Sequence, residues 1–194
     1  MRCVRLFKDE KAVAAIEFAF IAPVLFFLIF ATIEIGMVMV ASSILESAVR
    51  IASRAGITGY TPVGMTRDQY VLQVIDQNLI FLKPANVTFT TEIYNTFSDI
   101  GQPEPYVDAN HNGHYDLGES FTDINGNGQW DADMGLAGSG GPGAIVVYKV
   151  TYPWQIVTPF LAKFFSPTGV FNITASMVVM NEPYNSTGTS GGGG

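Results

Sequence analysis

Cysteine is nearly missing from this chain of 194 residues. Cys3 is its one thiol, which excludes an internal disulfide framework, a cysteine-based zinc site and a CxxC redox pair. Histidine is almost as scarce, and His111 and His114 leave little for a histidine-dependent triad. No nucleophile–base pair emerges, so the chain reads as non-enzymatic. Charge is thin as well: 14% of residues are charged against 48% hydrophobic, and the mean hydropathy is +0.27. That balance excludes a disordered acidic chain. Bases are outnumbered 17 to 10, giving a net charge of −7 and an isoelectric point near 4.6, which argues against nucleic acid as a partner. They are also unevenly placed, with no Lys or Arg between Lys83 and Lys149.

What the chain has in excess is a long apolar run. Ala12 to Ala41 carries two charges only, Glu17 and Glu34. As a helix rising ~1.5 Å per residue it is about 45 Å long, beyond a hydrocarbon core of ~30 Å. A signal peptide has a shorter apolar region followed by a small-x-small cleavage site, and neither is evident. The run is therefore read as a single membrane anchor. Arg2, Arg5, Lys8 and Lys11 precede it, so the positive-inside rule predicts a cytoplasmic N-terminus and an exported C-terminal region. Cys3 then lies in the reducing compartment, and the exported part is held by packing alone. Glu17 is costly inside a membrane, by roughly 2.5–3.5 kcal/mol on insertion scales. Two readings stay open for it: snorkelling near the interface beside Lys11, or pairing with a positive group from a neighbouring subunit. Pro23 is expected to bend the helix.

Lys11-Ala12-Val13-Ala14-Ala15-Ile16-Glu17-Phe18, with Pro23 and Ile33-Glu34-Ile35-Gly36, resembles the N-terminus of TadE-like pseudopilins of the tight-adherence pilus, a branch of the type IV pilin superfamily. The resemblance returns at Ile173-Thr174-Ala175-Ser176 and Asn181-Glu182-Pro183. It implies a prepilin peptidase cut between Ala12 and Val13, which makes Glu17 the fifth residue of the mature chain. Ala12 stands where the superfamily usually has Gly. It also implies other pilins as partners and assembly, rather than chemistry, as the activity.

Beyond the anchor, residues 42–55 continue the helix. Ile44, Ala48, Ile51 and Ala55 form its expected apolar stripe, Glu46, Arg50 and Arg54 a charged row, and Gly56 and Gly59 its stop. Thr66-Arg67-Asp68-Gln69 is a capping-box pattern. Val71, Val74, Ile75, Leu79 and Leu82 then recur at helical spacing up to Pro84. Residues 87–94, 145–152 and 171–179 read as strands. Residues 155–165 read as a short helix before Pro167. Gly138 to Gly143 lacks a following Lys and helix, so it is a linker and not a phosphate cradle.

The base-free segment holds nine carboxylates, from Glu92 to Asp133, and these account for the net negative charge. Within it, Glu104–Gly118 and Glu119–Asp133 repeat with a period of 15 residues. Each copy contains D-x-N-x-N-G-x-aromatic-D, which resembles the calcium loop of EF-hand and dockerin-type sites. Asp108, Asn110 and Asn112 offer side-chain oxygens at loop positions 1, 3 and 5, with Gly113 at the turn. His114 supplies a carbonyl, Asp116 takes position 9, and Glu119 closes the loop. Asp123, Asn125, Asn127, Gln129 and Asp131 repeat the order, and there Asp133 is expected to stand in for the closing Glu. One Ca²⁺ site, with a second possible, competes with a plain Asn/Gly-rich turn insertion. Hard oxygen donors without cysteine disfavour zinc.

The expected fold is α+β and pilin-like: a long N-terminal transmembrane helix on a small antiparallel sheet, with a calcium-loop insertion. The expected parts are a basic leader (1–12), the span (13–41), periplasmic helices and a first strand (42–94), the acidic insertion (95–142), C-terminal strands (143–184) and a disordered tail (185–194). The expected function is that of a minor pilin or pseudopilin, anchored in the bacterial inner membrane or carried into an extracellular pilus. The alternative is an unprocessed, membrane-anchored calcium-binding adhesion module.

Overall fold

The computed structural model describes residues 10–83 and 86–183. Arg2, Arg5, Lys8, Cys3, Pro84 and the Ser/Thr/Gly tail lie outside those residues. The chain divides into two compact units. One comprises the chain up to Ser42 together with Pro153–Ile173; the other comprises Ser43–Tyr152 together with the chain from Thr174.

Helix α1, Glu10–Ile57, contributes to both units and runs unbroken through Pro23. It is long and apolar enough to cross a membrane, and its most apolar stretch is unburied. In the second unit the helix changes character. Its buried face there is Leu45, Ala48, Val49, Ala52 and Ser53, whereas Ile51 is exposed and Ile44 only half-buried. Of the expected stripe, Ala48 lies on this face, Ile44 and Ala55 at its edge, and Ile51 is turned out. Ala48, Ala52 and Ser53 on that face allow a close approach. Gly56 shows how close: a Cβ there would collide with the Tyr148 hydroxyl. Gly56 is therefore inside the helix because of a packing contact, and the chain turns only at Gly59, whose φ is 67°.

Helix α2, Arg67–Asn78, begins with the predicted capping box. Gln69 N–H donates to Thr66 Oγ1 at 3.2 Å, and Thr66 N–H donates to Gln69 Oε1 at 2.9 Å. It ends sooner than the periodicity suggests. Leu79 is the C-cap, on the buried side with Ile75, and Leu82 is buried although it lies beyond the helix.

Four strands form one sheet in the order β2-β1-β3-β4. They are β1 (Thr88–Tyr94), β2 (Leu136–Ala137), β3 (Ile145–Gln155) and β4 (Val170–Met180). β1 pairs antiparallel with both β2 and β3, with Thr91 opposite Tyr148. At the β3–β4 end of the second unit, Asn181 N–H donates to Ala144 O at 2.9 Å, and Thr151 and Thr174 hydroxyls meet at 3.1 Å. Ile145 to Tyr148 are all buried, because this central strand is covered on both faces. Tyr148 reaches α1 at Gly56. Ile145 and Val147 instead join Tyr94 and Met134 in a second core, against which Ile100 and Ile124 of the insertion pack. The insertion is thus docked on the sheet rather than hung from it. The two-residue strand β2 had no signal of its own in the sequence.

The glycine-rich stretch before β3 is fixed by two side chains. Arg67 Nη1 donates to Ser139 O and Gly140 O at 2.9 and 2.8 Å. Asn181 Nδ2 donates to Ser139 O and Gly141 O at 3.0 and 2.9 Å. Its carbonyls are structural acceptors.

Candidate functional site

Two groups of carboxylates draw attention, one on α1 and one in the acidic repeat. On α1, Glu17 stands exposed on the apolar surface, with Val13 also exposed near the Ala12–Val13 bond. Glu34 behaves differently, being only 4% exposed. Within the first unit its Oε1 accepts from Trp154 Nε1 at 3.1 Å and from Val157 N–H at 3.2 Å. Its Oε2 accepts from Thr158 N–H at 3.2 Å and Thr158 Oγ1 at 3.1 Å. Four donors to one carboxylate satisfy a buried charge that would otherwise be costly. The sequence assigns Glu17 a role but offers none for Glu34, whose partners lie about 120 residues away. The pairing of an intramembrane-length helix with a distant Trp is invisible to spacing.

The residues holding Glu34 lead into α3, Pro159–Phe165, the short helix expected between the last two strands. Phe160 and Phe164 set their rings against α1. Phe27 lies 6.1 Å from Phe160 and 5.9 Å from Phe164, and Phe30 lies 5.8 Å from Phe160. Leu161 is buried behind them.

In the acidic repeat both loops fold alike. Asp108 Oδ1 accepts from Asn112 N–H at 3.1 Å, and its Oδ2 from Gly113 N–H at 2.8 Å. Asp123 repeats this with Asn127 N–H at 3.2 Å and Gly128 N–H at 2.9 Å. Gly113 and Gly128 both have φ of 80°, the left-handed turn that their loop position requires. Asn110 and Asn112 converge on Asp116, as Asn125 and Asn127 do on Asp131. His114 N–H donates to Asn112 Oδ1 and Gln129 N–H to Asn127 Oδ1, at 2.8 and 2.7 Å. His111 is exposed, its Nδ1 2.9 Å from the Asp108 carbonyl oxygen.

The closing residues are the surprise. Glu119 accepts from Ala109 N–H at 2.8 Å and from Asp116 N–H at 2.9 Å, bracing the first loop. The equivalent braces in the second loop are Ile124 N–H and Asp131 N–H, and both reach Glu104, at 2.7 and 3.2 Å. Glu104 is fully buried. Asp133, the expected substitute, points elsewhere: it accepts from the Tyr94 hydroxyl at 2.9 Å and Gly135 N–H at 3.3 Å. Each repeat therefore opens with a Glu that closes the loop of the other repeat.

A pseudo-twofold pairing makes this exchange possible. Tyr106 and Phe121, equivalent in the repeat, form an antiparallel bridge. Val107 N–H donates to Ser120 O at 2.9 Å and Thr122 N–H to Pro105 O at 2.8 Å. Tyr115 and Trp130, also equivalent, stack at 4.5 Å with planes 13° apart, flanked edge-on by Phe121 and Tyr106. An aromatic core of four rings thus replaces flanking helices in holding the two loops. Each loop gathers two Asp, two Asn and one Glu, a set of hard oxygen donors. Among the described residues, no three Asp, Glu, His or Cys side chains are themselves disposed as a metal-binding group. Nearby, burial first, then the bond to Asp133 and the charge of Glu92, raise the Tyr94 hydroxyl well above the usual tyrosine range.

These features define a protein class: an α+β chain with a membrane-capable helix and a paired carboxylate-loop insertion. Residues 12–54 match the family described as TadE-like protein, a range that falls within α1. The C-terminal motif ending at Asn181-Glu182-Pro183 and the acidic repeat lie outside that match. No curated protein and no solved structure matches the chain.

Proposed function

We propose that this chain is a minor pilin or pseudopilin that acts in the assembly or initiation of a tight-adherence pilus. The observation that carries this is the TadE-like match over residues 12–54, which falls on an apolar helix bearing an exposed Glu17. The helix rests in the bacterial inner membrane with its N-terminus cytoplasmic and its C-terminal region periplasmic. It then packs against helices of other pilins, where Glu17 meets a positive group such as a neighbour's free amine. A prepilin peptidase cuts between Ala12 and Val13. Mass spectrometry of the protein from its native host tests the processing step. A chain beginning at Val13, replaced by the uncut chain when the peptidase is deleted, is the expected result; an uncut chain in both strains favours the anchored adhesion module.

We infer further that the acidic repeat binds Ca²⁺. The reciprocal closure by Glu104 and Glu119 favours two equivalent sites. The ligands of one are Asp108, Asn110, Asn112, the His114 carbonyl, Asp116 and Glu119. Those of the other are Asp123, Asn125, Asn127, the Gln129 carbonyl, Asp131 and Glu104. Nine carboxylates without a base among them repel one another, and a divalent cation relieves that repulsion.

A further inference from the structure

The sequence places one membrane element in this chain, but the structure brings a second to the same depth. Lys11 and Glu34 are 23 residues apart, about 35 Å along a helix, close to a hydrocarbon core of ~30 Å. Phe30 and Phe27 precede Glu34 by four and seven residues, which places them roughly 6 and 10 Å on the membrane side of it. Phe160 and Phe164 contact those same rings at 5.8 to 6.1 Å. If the span instead extends to Ala41, the Phe cluster lies deeper still.

We propose that α3 and the turn before it form a second, lipid-contacting element, dipping into the membrane leaflet opposite the basic leader. The occupant of its outer face is acyl chain. Phe164 is 76% exposed and Val157 63%, so both leave apolar surface uncovered by the protein. The only charge on α3 is Lys163, long enough to carry its ammonium back to the headgroups. A depth of 5–10 Å is the usual reach of an interfacial apolar helix.

Non-helical backbone at that depth must be satisfied from within the protein, and the three N–H groups leading into Pro159 are. Val157 and Thr158 N–H groups donate to Glu34, and Ile156 N–H donates to Gly169 O at 3.0 Å. Leu161 and Ala162 N–H groups donate to Thr158 O at 3.0 and 3.1 Å, and Ser166 N–H donates to Ala162 O at 3.0 Å. Glu34 is thus the acceptor that lets a turn enter the membrane boundary, and Trp154 beside it suits the aromatic belt of that interface.

The inference rests on α1 being a spanning helix, so its test reads both. Nitroxide labels are placed singly at Phe164→Cys, Lys163→Cys, Ile21→Cys and Val63→Cys in the full chain carrying Cys3→Ser, reconstituted in phosphatidylcholine vesicles. Collision with oxygen and with a water-soluble nickel chelate is read by power saturation. Labels at 164 and 21 should be open to oxygen and closed to nickel, the label at 163 nearer the headgroups, and the label at 63 open to nickel. Nickel access at 164 with none at 21 overturns the α3 proposal while the span stands. Protection of 164 from both reagents shows a protein partner there and overturns it equally. Nickel access at 21 removes the span and the proposal together. If Phe164→Cys does not fold, label depth at 163 decides, a position as far out in water as 63 being the contradicting result.

Discussion

Trp154 Nε1 lies 3.1 Å from Glu34 Oε1, joining positions 120 residues apart in the first unit. The bond is one of four to a nearly buried carboxylate, so Glu34 serves as the common acceptor for the Trp154 indole and the Val157–Thr158 turn. Glu34→Ala leaves those donors without an acceptor, at about 1–3 kcal/mol for each that stays buried. The full chain in detergent should melt measurably lower, with Glu34→Gln intermediate because it keeps one oxygen. Equal melting of the wild type and Glu34→Ala would show that the bonds are replaced by solvent.

Glu104 and Asp133 make opposite predictions. Removing Glu104 as Glu104→Ala strands the Ile124 and Asp131 N–H groups, a loss of roughly 1–3 kcal/mol each, and deletes the proposed closing ligand of the second loop. Calcium that binds only the native state stabilises it by about 2.7 kcal/mol at a hundredfold excess over Kd. Calorimetry should count two ions for the wild type and for Asp133→Asn, and one for Glu104→Ala and for Asp108→Ala. Two ions retained by Glu104→Ala would remove the cross-closure from the calcium sites. No calcium heat in any variant would leave the repeat as a docked polar insertion.

Gly56→Ala tests the approach of α1 to the sheet. The added methyl meets the Tyr148 hydroxyl and, at 3.3 Å, a Val71 methyl. Overpacking of this kind costs about 1–3 kcal/mol, so denaturant midpoints should fall. Gly36→Ala, where a Cβ meets nothing within 4 Å, is the matched control and should not destabilise.

Asp76 gives a pH dependence. Burial raises its carboxyl above the ordinary 3.8, and its Oδ1 is buried without a partner. The fold therefore favours the protonated form, and stability is lost as pH rises through the raised value. Asp76→Asn should melt higher than the wild type at neutral pH. The gap should close as pH falls below 3.8, where the wild-type carboxyl is neutral folded or unfolded. A gap of constant size across that range would assign the effect to something other than ionisation.

Features set by local spacing were legible in the sequence: the apolar helix, the Thr66 capping box, the strands around Ile145 and Ile173, and the two Asp-Asn-Asn-Gly loops. Features set by topology were not. Glu104 precedes the first loop and reaches the second only because the repeats pair through Tyr106 and Phe121. Asp133 looked like the closing ligand by counting, yet the buried Tyr94 hydroxyl claims it. On α1, hydrophobicity favours Ile44 and Ile51, whereas packing selects Leu45, Val49 and Ala52 beside the expected Ala48. Glu34 has no structural role legible in its own neighbourhood, since its partners come about 120 residues later.

Pilus assembly is tested most directly by counting surface pili, by electron microscopy, in a strain lacking this chain and complemented with either wild type or Glu17→Ala. Loss of pili in the deletion, restoration by wild type and failure of Glu17→Ala despite normal membrane levels are the predicted results. Undiminished piliation in the deletion strain would contradict a role in assembly.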